Sequence, residues 1–241
     1  MSVIIASKRD KTVVLATDSR STDGRGKPLS NNQEKIFEIA PSMFYTASGL
    51  LPPILEQAKI AASLARSVDL KNPQDFADQL DRASQPLMEQ VVALIKEMRS
   101  LRPDKYYEEQ LSGGVIHGYV IAGISDGRPG FIYREFRCIN GPTRSLEHSV
   151  FDLPAGNFST INTRGKQADH LVHDPATWKG GHIHGVERLV NHMCSVHPEC
   201  GGPTQMVYIY RTGSRWVHCL PVEASEAITR KDLYANSAIV R

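Results

Sequence analysis

Apolar and β-branched residues gather in two short runs at the start of the chain, Val3-Ile-Ile-Ala6 and Thr12-Val-Val-Leu-Ala16. The polar turn Lys8-Arg9-Asp10-Lys11 separates them, so the pair predicts a β-hairpin. Lys35 opens a third strand, Lys35-Ile-Phe-Glu-Ile39, and Met43-Phe-Tyr-Thr-Ala-Ser-Gly-Leu50 reads as a fourth. The period then lengthens. Leu51, Ile54, Leu55, Ala58, Ala61 and Ala62 recur at helical spacing and predict a helix from Leu51 to Arg66. Asn72-Pro73 is a cap followed by proline in the first turn, and it starts a second helix through Phe76, Leu80, Leu87, Val91 and Ile95 to about Arg99.

Strand character returns between Gly113 and Ile124. The turn Ser125-Asp-Gly-Arg-Pro-Gly130 leads into the alternating run Phe131-Ile-Tyr-Arg-Glu-Phe136. The segment from Arg137 to Asn157 carries no readable period. A further helix is expected from Val186 to His197, ahead of the loop Pro198-Glu-Cys-Gly-Gly202. Met206-Val-Tyr-Ile-Tyr210 and Trp216-Val-His-Cys-Leu220 form the last predicted hairpin, turning at Thr212-Gly-Ser, and a short helix is possible beyond Pro221. This order of strands, two helices, strands, helix and strands predicts an α+β protein, and its length fits one domain over residues 1–241.

Composition narrows the partners. The 28 basic and 26 acidic residues leave a net charge of +2, which gives no electrostatic case for nucleic acid or an anionic membrane. No run is apolar and long enough to predict a membrane span, and no signal-peptide pattern opens the sequence. The four cysteines Cys138, Cys194, Cys200 and Cys219 form no C-x-x-C pair, so reduced thiols in a cytoplasmic protein are expected.

The candidate chemistry starts at the second residue. Removal of Met1 ahead of the small Ser2 would leave a hydroxyl and a free α-amine on one residue. With a pKa near ~7.7–8.0, that amine is partly neutral at physiological pH and can act as general base for its own hydroxyl. Asp18 and Arg20 close the second predicted strand, Lys35 opens the third and Gly49 ends the fourth. Taken singly these are bland: a strand-ending Asp is turn chemistry and a strand-opening Lys is usually exposed.

In combination they resemble the proteasome β-subunit family and its simpler bacterial ring-protease relatives. The order is a hydroxyl at the N-terminus, V-V-L-A-T-D-S-R, K-I-F-E-I and A-S-G-L, with one residue inserted between Asp18 and Lys35. The resemblance implies the four-layer αββα sandwich of N-terminal-nucleophile hydrolases, two antiparallel sheets between helical layers. It implies peptide-bond cleavage through an acyl-ester on Ser2, with no metal or organic cofactor. Lys35 would favour the alkoxide, Asp18 would orient Lys35, Arg20 would support them, and the Gly49 N–H would meet the oxyanion.

By the same resemblance Ser21 and Thr22 would pair with an extended peptide substrate, although a plain connecting loop accounts for them equally well. Ala47 would floor the primary specificity pocket, and its small side chain suits a medium or large apolar residue. Thr163 falls at the position of a supporting serine, with Asn162 at the preceding glycine. His197 and Cys200 stand where the family carries an Asp and a Ser. That exchange either makes activity more sensitive to pH near neutrality or leaves a catalytically silent structural subunit. An amidase or peptide-ligating enzyme of narrow substrate range is a further alternative.

The resemblance also implies a homo-oligomer, a ring or stack whose sites face an interior. The chain lacks the N-terminal extension of proteasome α-subunits, which favours the β-like side of the family. Peptides or unfolded proteins are the expected substrates, and an ATPase unfoldase is a conceivable partner. The nine histidines invite a metal reading. His192 and His197 are five apart, which on a helix turns them roughly 140° from each other, and the cysteines lack zinc spacing.

Overall fold

The computed structural model describes residues 3–22, 27–67, 73–101, 105–151, 158–162 and 169–218. β1 (Ile4–Arg9) and β2 (Thr12–Thr17) form the opening hairpin, with the left-handed conformation at its turn taken by Asp10. Asp tolerates that conformation better than most residues. β3 (Ser21–Thr22) and β4 (Pro28–Ser30) make a small ribbon, followed by β5 (Ile36–Ala40) and β6 (Met43–Ser48). Two long helices come next, α1 (Leu51–Ser67) and α2 (Pro73–Leu101), and then the short α3 (Lys105–Leu111).

β7 (Val115–Ser125) and β8 (Arg128–Cys138) form a long hairpin, extended by β9 (Pro142–Ser149). The turn is only Asp126-Gly127, both at positive φ, so the strands extend further into the 125–130 segment than the expected loop. β10 (Phe158–Asn162), α4 (Asp169–His173), a single 3-10 turn (Pro175–Trp178) and α5 (His182–Val196) follow. β11 (Gln205–Tyr210) and β12 (Gly213–His218) complete the described chain. Both lie close to the predicted last hairpin, while α3, β9 and α4 had no counterpart in the sequence reading.

Two five-stranded antiparallel sheets result, ordered β10-β1-β2-β11-β12 and β5-β6-β7-β8-β9. Three apolar clusters define how the elements meet. Ile4, Ala6, Val13 and Leu15 of the first sheet share one cluster with Phe44, Val120 and Phe131 of the second. The opposite side chains of the same hairpin, Ile5, Val14 and Ala16, pack with Val186, Leu189 and Met193 of α5. Phe37, Tyr45 and Tyr119 of the second sheet pack with Ile54 and Ala58 of α1 and with Phe76, Leu80 and Val91 of α2. Strands buried on both faces read as unbroken apolar runs, which is why β1 and β2 show little alternation. No helix among the described residues is long and apolar enough to cross a membrane.

Candidate active site

Asp18 follows β2 directly, and its side chain has no solvent exposure. One carboxylate oxygen, Oδ1, accepts the Val3 backbone N–H and the Lys35 ammonium, each at 3.0 Å. The other, Oδ2, accepts the backbone N–H groups of Gly201 at 3.1 Å and Arg20 at 3.3 Å. A buried carboxylate is tolerable when its lone pairs are occupied in this way.

Lys35 precedes β5, and its side chain is also buried. Its ammonium donates a second hydrogen bond to the Arg20 carbonyl at 2.6 Å. The Lys35 backbone N–H donates to Gln205 Oε1 at 2.9 Å, so the residue is held at both ends. Gln205 of β11 also accepts the Ile36 N–H at 3.3 Å and donates from Nε2 to the Gln33 carbonyl at 2.8 Å. Burial lowers the Lys35 pKa below its ordinary value, while the charge and hydrogen bond of Asp18 act in the other direction.

Arg20 clamps two loops together. Its Nε donates to Asn31 Oδ1 at 2.8 Å and its Nη1 to the Pro198 carbonyl at 2.7 Å. The Gly201 carbonyl accepts from the N–H groups of Ser19 and Arg20 at 3.0 and 2.9 Å. Gly202 is required at the crossing, because φ there is +73° and a side chain would strike the Asn31 carbonyl and Ser19 Oγ. Ser21 and Thr22, the expected substrate strand, have their backbone paired with Ser30 and Pro28 in the small ribbon.

His197 caps the C-terminal end of α5 and faces Glu199 across 3.9 Å, while Cys200 is almost fully buried. Cys200 is tied to the cluster through its neighbour Gly201, whose N–H reaches Asp18. Cys194, in the last turn of α5, has its thiol pushed up to about 12 by burial first and the Asp18 charge next. Ser2 and Thr163 lie outside the described residues. Asn162, expected in a turn, is instead paired with Ile5 at the end of β10.

Gly49 follows β6 just before α1, with φ at +146°. No hydrogen bond among the described residues joins it to Asp18, Lys35 or Arg20. Ala47 faces Tyr119 across the β6–β7 pair and is enclosed in the cluster beneath α1 and α2. His117 is the polar neighbour of this region. Its Nε2 lies 2.6 Å from Gln57 Oε1, which also accepts the Tyr45 hydroxyl at 2.7 Å, and Gln57 Nε2 donates to Ser84 Oγ at 3.0 Å.

Gln205 and His117 were not singled out from the sequence, and Cys194 was weighed there only as a reduced thiol and a metal ligand. Only His117 left a signal there, as one polar residue inside the apolar run Val115-Ile-His-Gly-Tyr-Val-Ile. Among the described residues no group of three or more His, Cys, Asp or Glu is placed to hold a metal ion. His182, one of the histidines raised for that role, instead bridges Ser7 Oγ at 3.0 Å and Thr12 Oγ1 at 3.1 Å.

No curated protein matches the chain. Residues 2–78, the part that carries Asp18, Lys35 and Gly49, match the model of the family described as Proteasome subunit.

Proposed function

We propose that the chain is an N-terminal-nucleophile peptidase that uses Ser2, freed by removal of Met1. The observation that carries this reading is the shared occupancy of Asp18. Its carboxylate holds the Val3 N–H, the atom bonded to residue 2, and the Lys35 ammonium on the same oxygen. The first peptide of the chain and a buried cation are thereby tied to one point. An ammonium has three N–H donors, and described residues occupy two of those on Lys35, so one remains for a hydroxyl at position 2.

In the proposed reaction the Ser2 Oγ–H proton passes to the α-amine as Oγ bonds to the substrate carbonyl carbon. The carbonyl electron pair moves onto oxygen, where the Gly49 N–H and the N-terminal end of α1 oppose its charge. Collapse breaks the C–N bond, and the leaving amine takes the proton. Water then hydrolyses the ester by the same route in reverse. We read the three apolar clusters as the seams of a four-layer αββα sandwich, and the family as implying a ring of such subunits acting on peptides.

A silent, structural subunit is the second reading. One observation favours it: His197, at a position where the family carries a carboxylate, pairs with Glu199 inside its own loop. The test is intact mass before and after a peptide epoxyketone, an electrophile that needs a neighbouring hydroxyl and free amine. An adduct mapped to Ser2 and absent from Ser2→Ala supports the peptidase. Retained Met1, or its loss without any adduct, supports the silent subunit. Native mass of the same sample reads the assembly directly.

A further inference from the structure

Backbone pairing between β1 and β2 starts at Ile4↔Thr17, and just before it both backbone groups of Val3 are taken by side chains. The Val3 N–H donates to Asp18 Oδ1 at 3.0 Å, and the Val3 carbonyl accepts the Thr17 hydroxyl at 2.7 Å. Val3, Thr17 and Asp18 have no solvent exposure, and the low dielectric of such a place strengthens both bonds. Thr17 Oγ1 also lies 3.2 Å from the Asp18 carbonyl, but a hydroxyl has one hydrogen and its shorter contact is to Val3. The β-branched side chain is stiff at χ1, which keeps that hydrogen aimed.

These two bonds act next to a chain end. Once Met1 is removed, Ser2 is bonded to the rest of the chain through the Ser2–Val3 peptide alone, and chain ends are poorly ordered unless tied down. Peptide groups are planar, so the path from the Ile4 backbone nitrogen to the Ser2 Cα turns only on φ and ψ of Val3. The Asp18 bond fixes the plane that carries the Val3 N–H. The Thr17 bond fixes the plane that carries the Val3 carbonyl. With both made, only the torsions of Ser2 itself are left to set. Thr17 also stands opposite Gln205 in the β2–β11 register, and Gln205 accepts the Lys35 N–H at 2.9 Å. The anchors of the chain start and of Lys35 therefore spring from one rung of the same sheet.

We infer that Thr17 is a positioning residue for the Ser2 nucleophile, its hydroxyl setting the direction in which the first peptide leaves the sheet. Thr17 meets no reacting atom in this role and acts through Val3. Valine would match its shape in a fully buried strand, like Val13 and Val14 before it, but would leave the Val3 carbonyl without this donor. The inference rests on the reading of Ser2 as nucleophile.

The test follows epoxyketone labelling of Ser2 against reagent concentration in the wild type, Thr17→Val and Thr17→Ser. Intact mass establishes loss of Met1 in each protein, and thermal melts establish folding. Thr17→Val removes the hydroxyl and keeps the shape. It is expected to lower the saturating rate about tenfold or more, because small misplacements of a reacting group are costly. The half-saturating concentration stays as in the wild type, since recognition of the reagent does not pass through Val3. Thr17→Ser keeps the hydroxyl and retains most of the rate. A role confined to stability would lower the melting temperature and leave the rate of the folded protein untouched. Should Thr17→Val melt below the assay temperature, Thr17→Cys takes its place, and its weakly donating thiol must give slower labelling than Thr17→Ser.

A folded Thr17→Val that labels at the wild-type saturating rate overturns the positioning role and leaves the nucleophile standing. So does a loss carried entirely by the half-saturating concentration, a Thr17→Ser as slow as Thr17→Val, or a Thr17→Cys as fast as Thr17→Ser. Absence of any Ser2 adduct in the wild type removes the nucleophile, and the positioning role with it.

Discussion

Asp18 and Lys35 form a buried pair whose members are unequally supported. Asp18 accepts from three backbone N–H groups besides the ammonium, whereas among the described residues the Lys35 ammonium has only Asp18 and one carbonyl. Removing the carboxylate therefore strands a buried cation. Asp18→Asn should cost about 3–5 kcal/mol in urea unfolding, the range for breaking a buried pair. Lys35→Met should cost less, since Asp18 keeps its backbone donors. Both should lose epoxyketone labelling, and wild-type labelling of Lys35→Met would remove Lys35 from the mechanism. His117 and His182 give a pH signature at the same scale. Burial, with the Arg9 charge next for His182, lowers both from 6.5 to about 4. Between those values the unfolded chain binds more protons than the fold, so stability falls as pH drops through this window. Each ring should contribute on the order of 2 kcal/mol to the loss between pH 7 and pH 5. The urea midpoint should drop accordingly, and His182→Gln should flatten part of the drop; a pH-independent midpoint would show both rings freely protonated in the fold.

At the scale of elements, α5 shows what the sequence could and could not reveal. Its apolar stripe, Val186, Leu189, Val190 and Met193, was readable because it repeats at helical spacing. Its first turn was not, because His182 and His184 offer no apolar period and Gly181 is a cap without a side-chain bond. What holds that turn is tertiary: His182 bridges β1 and β2, and Trp178 packs on Gly185 while Arg9 lies 4.5 Å over its ring. Gly185 has no room for a Cβ against the Trp178 ring. Gly185→Ala raises helix propensity by ~1 kcal/mol but overpacks the contact by about 1–3 kcal/mol. A net loss in Tm is expected, and a gain would mean the indole does not seat there. β9 escaped for a related reason. Its residues Pro142–Ser149 are mostly polar, and they pair because β8 offers an edge and Arg134 draws Glu147 to 3.2 Å.

Across the whole molecule, the local parts of the candidate site were legible and the ties between distant parts were not. Asp18, Arg20, Lys35 and Gly49 stand within one fifty-residue stretch whose strand order fixes their spacing. Gln205 joins that stretch from 170 residues away and looks in sequence like any strand-opening glutamine. Yet its side chain holds the start of β5 against β11, linking the two sheets through Lys35, Ile36 and Gln33. Trp216 of β12 makes a second link, edge-on to Phe44 of β6 at 5.8 Å between ring centroids. Sheets coupled this way should not unfold separately. Far-UV circular dichroism, dominated by α1 and α2 beside the second sheet, and fluorescence of Trp178 and Trp216, beside the first, should give coincident urea transitions. Gln205→Ala leaves three buried backbone groups short of a partner. It should lower both transitions together, by a few kcal/mol at about 1–3 kcal/mol for each stranded group. Separated transitions in the wild type would divide residues 1–241 into two folding units. Separation only in Gln205→Ala would instead identify this one side chain as the tie that makes them one domain.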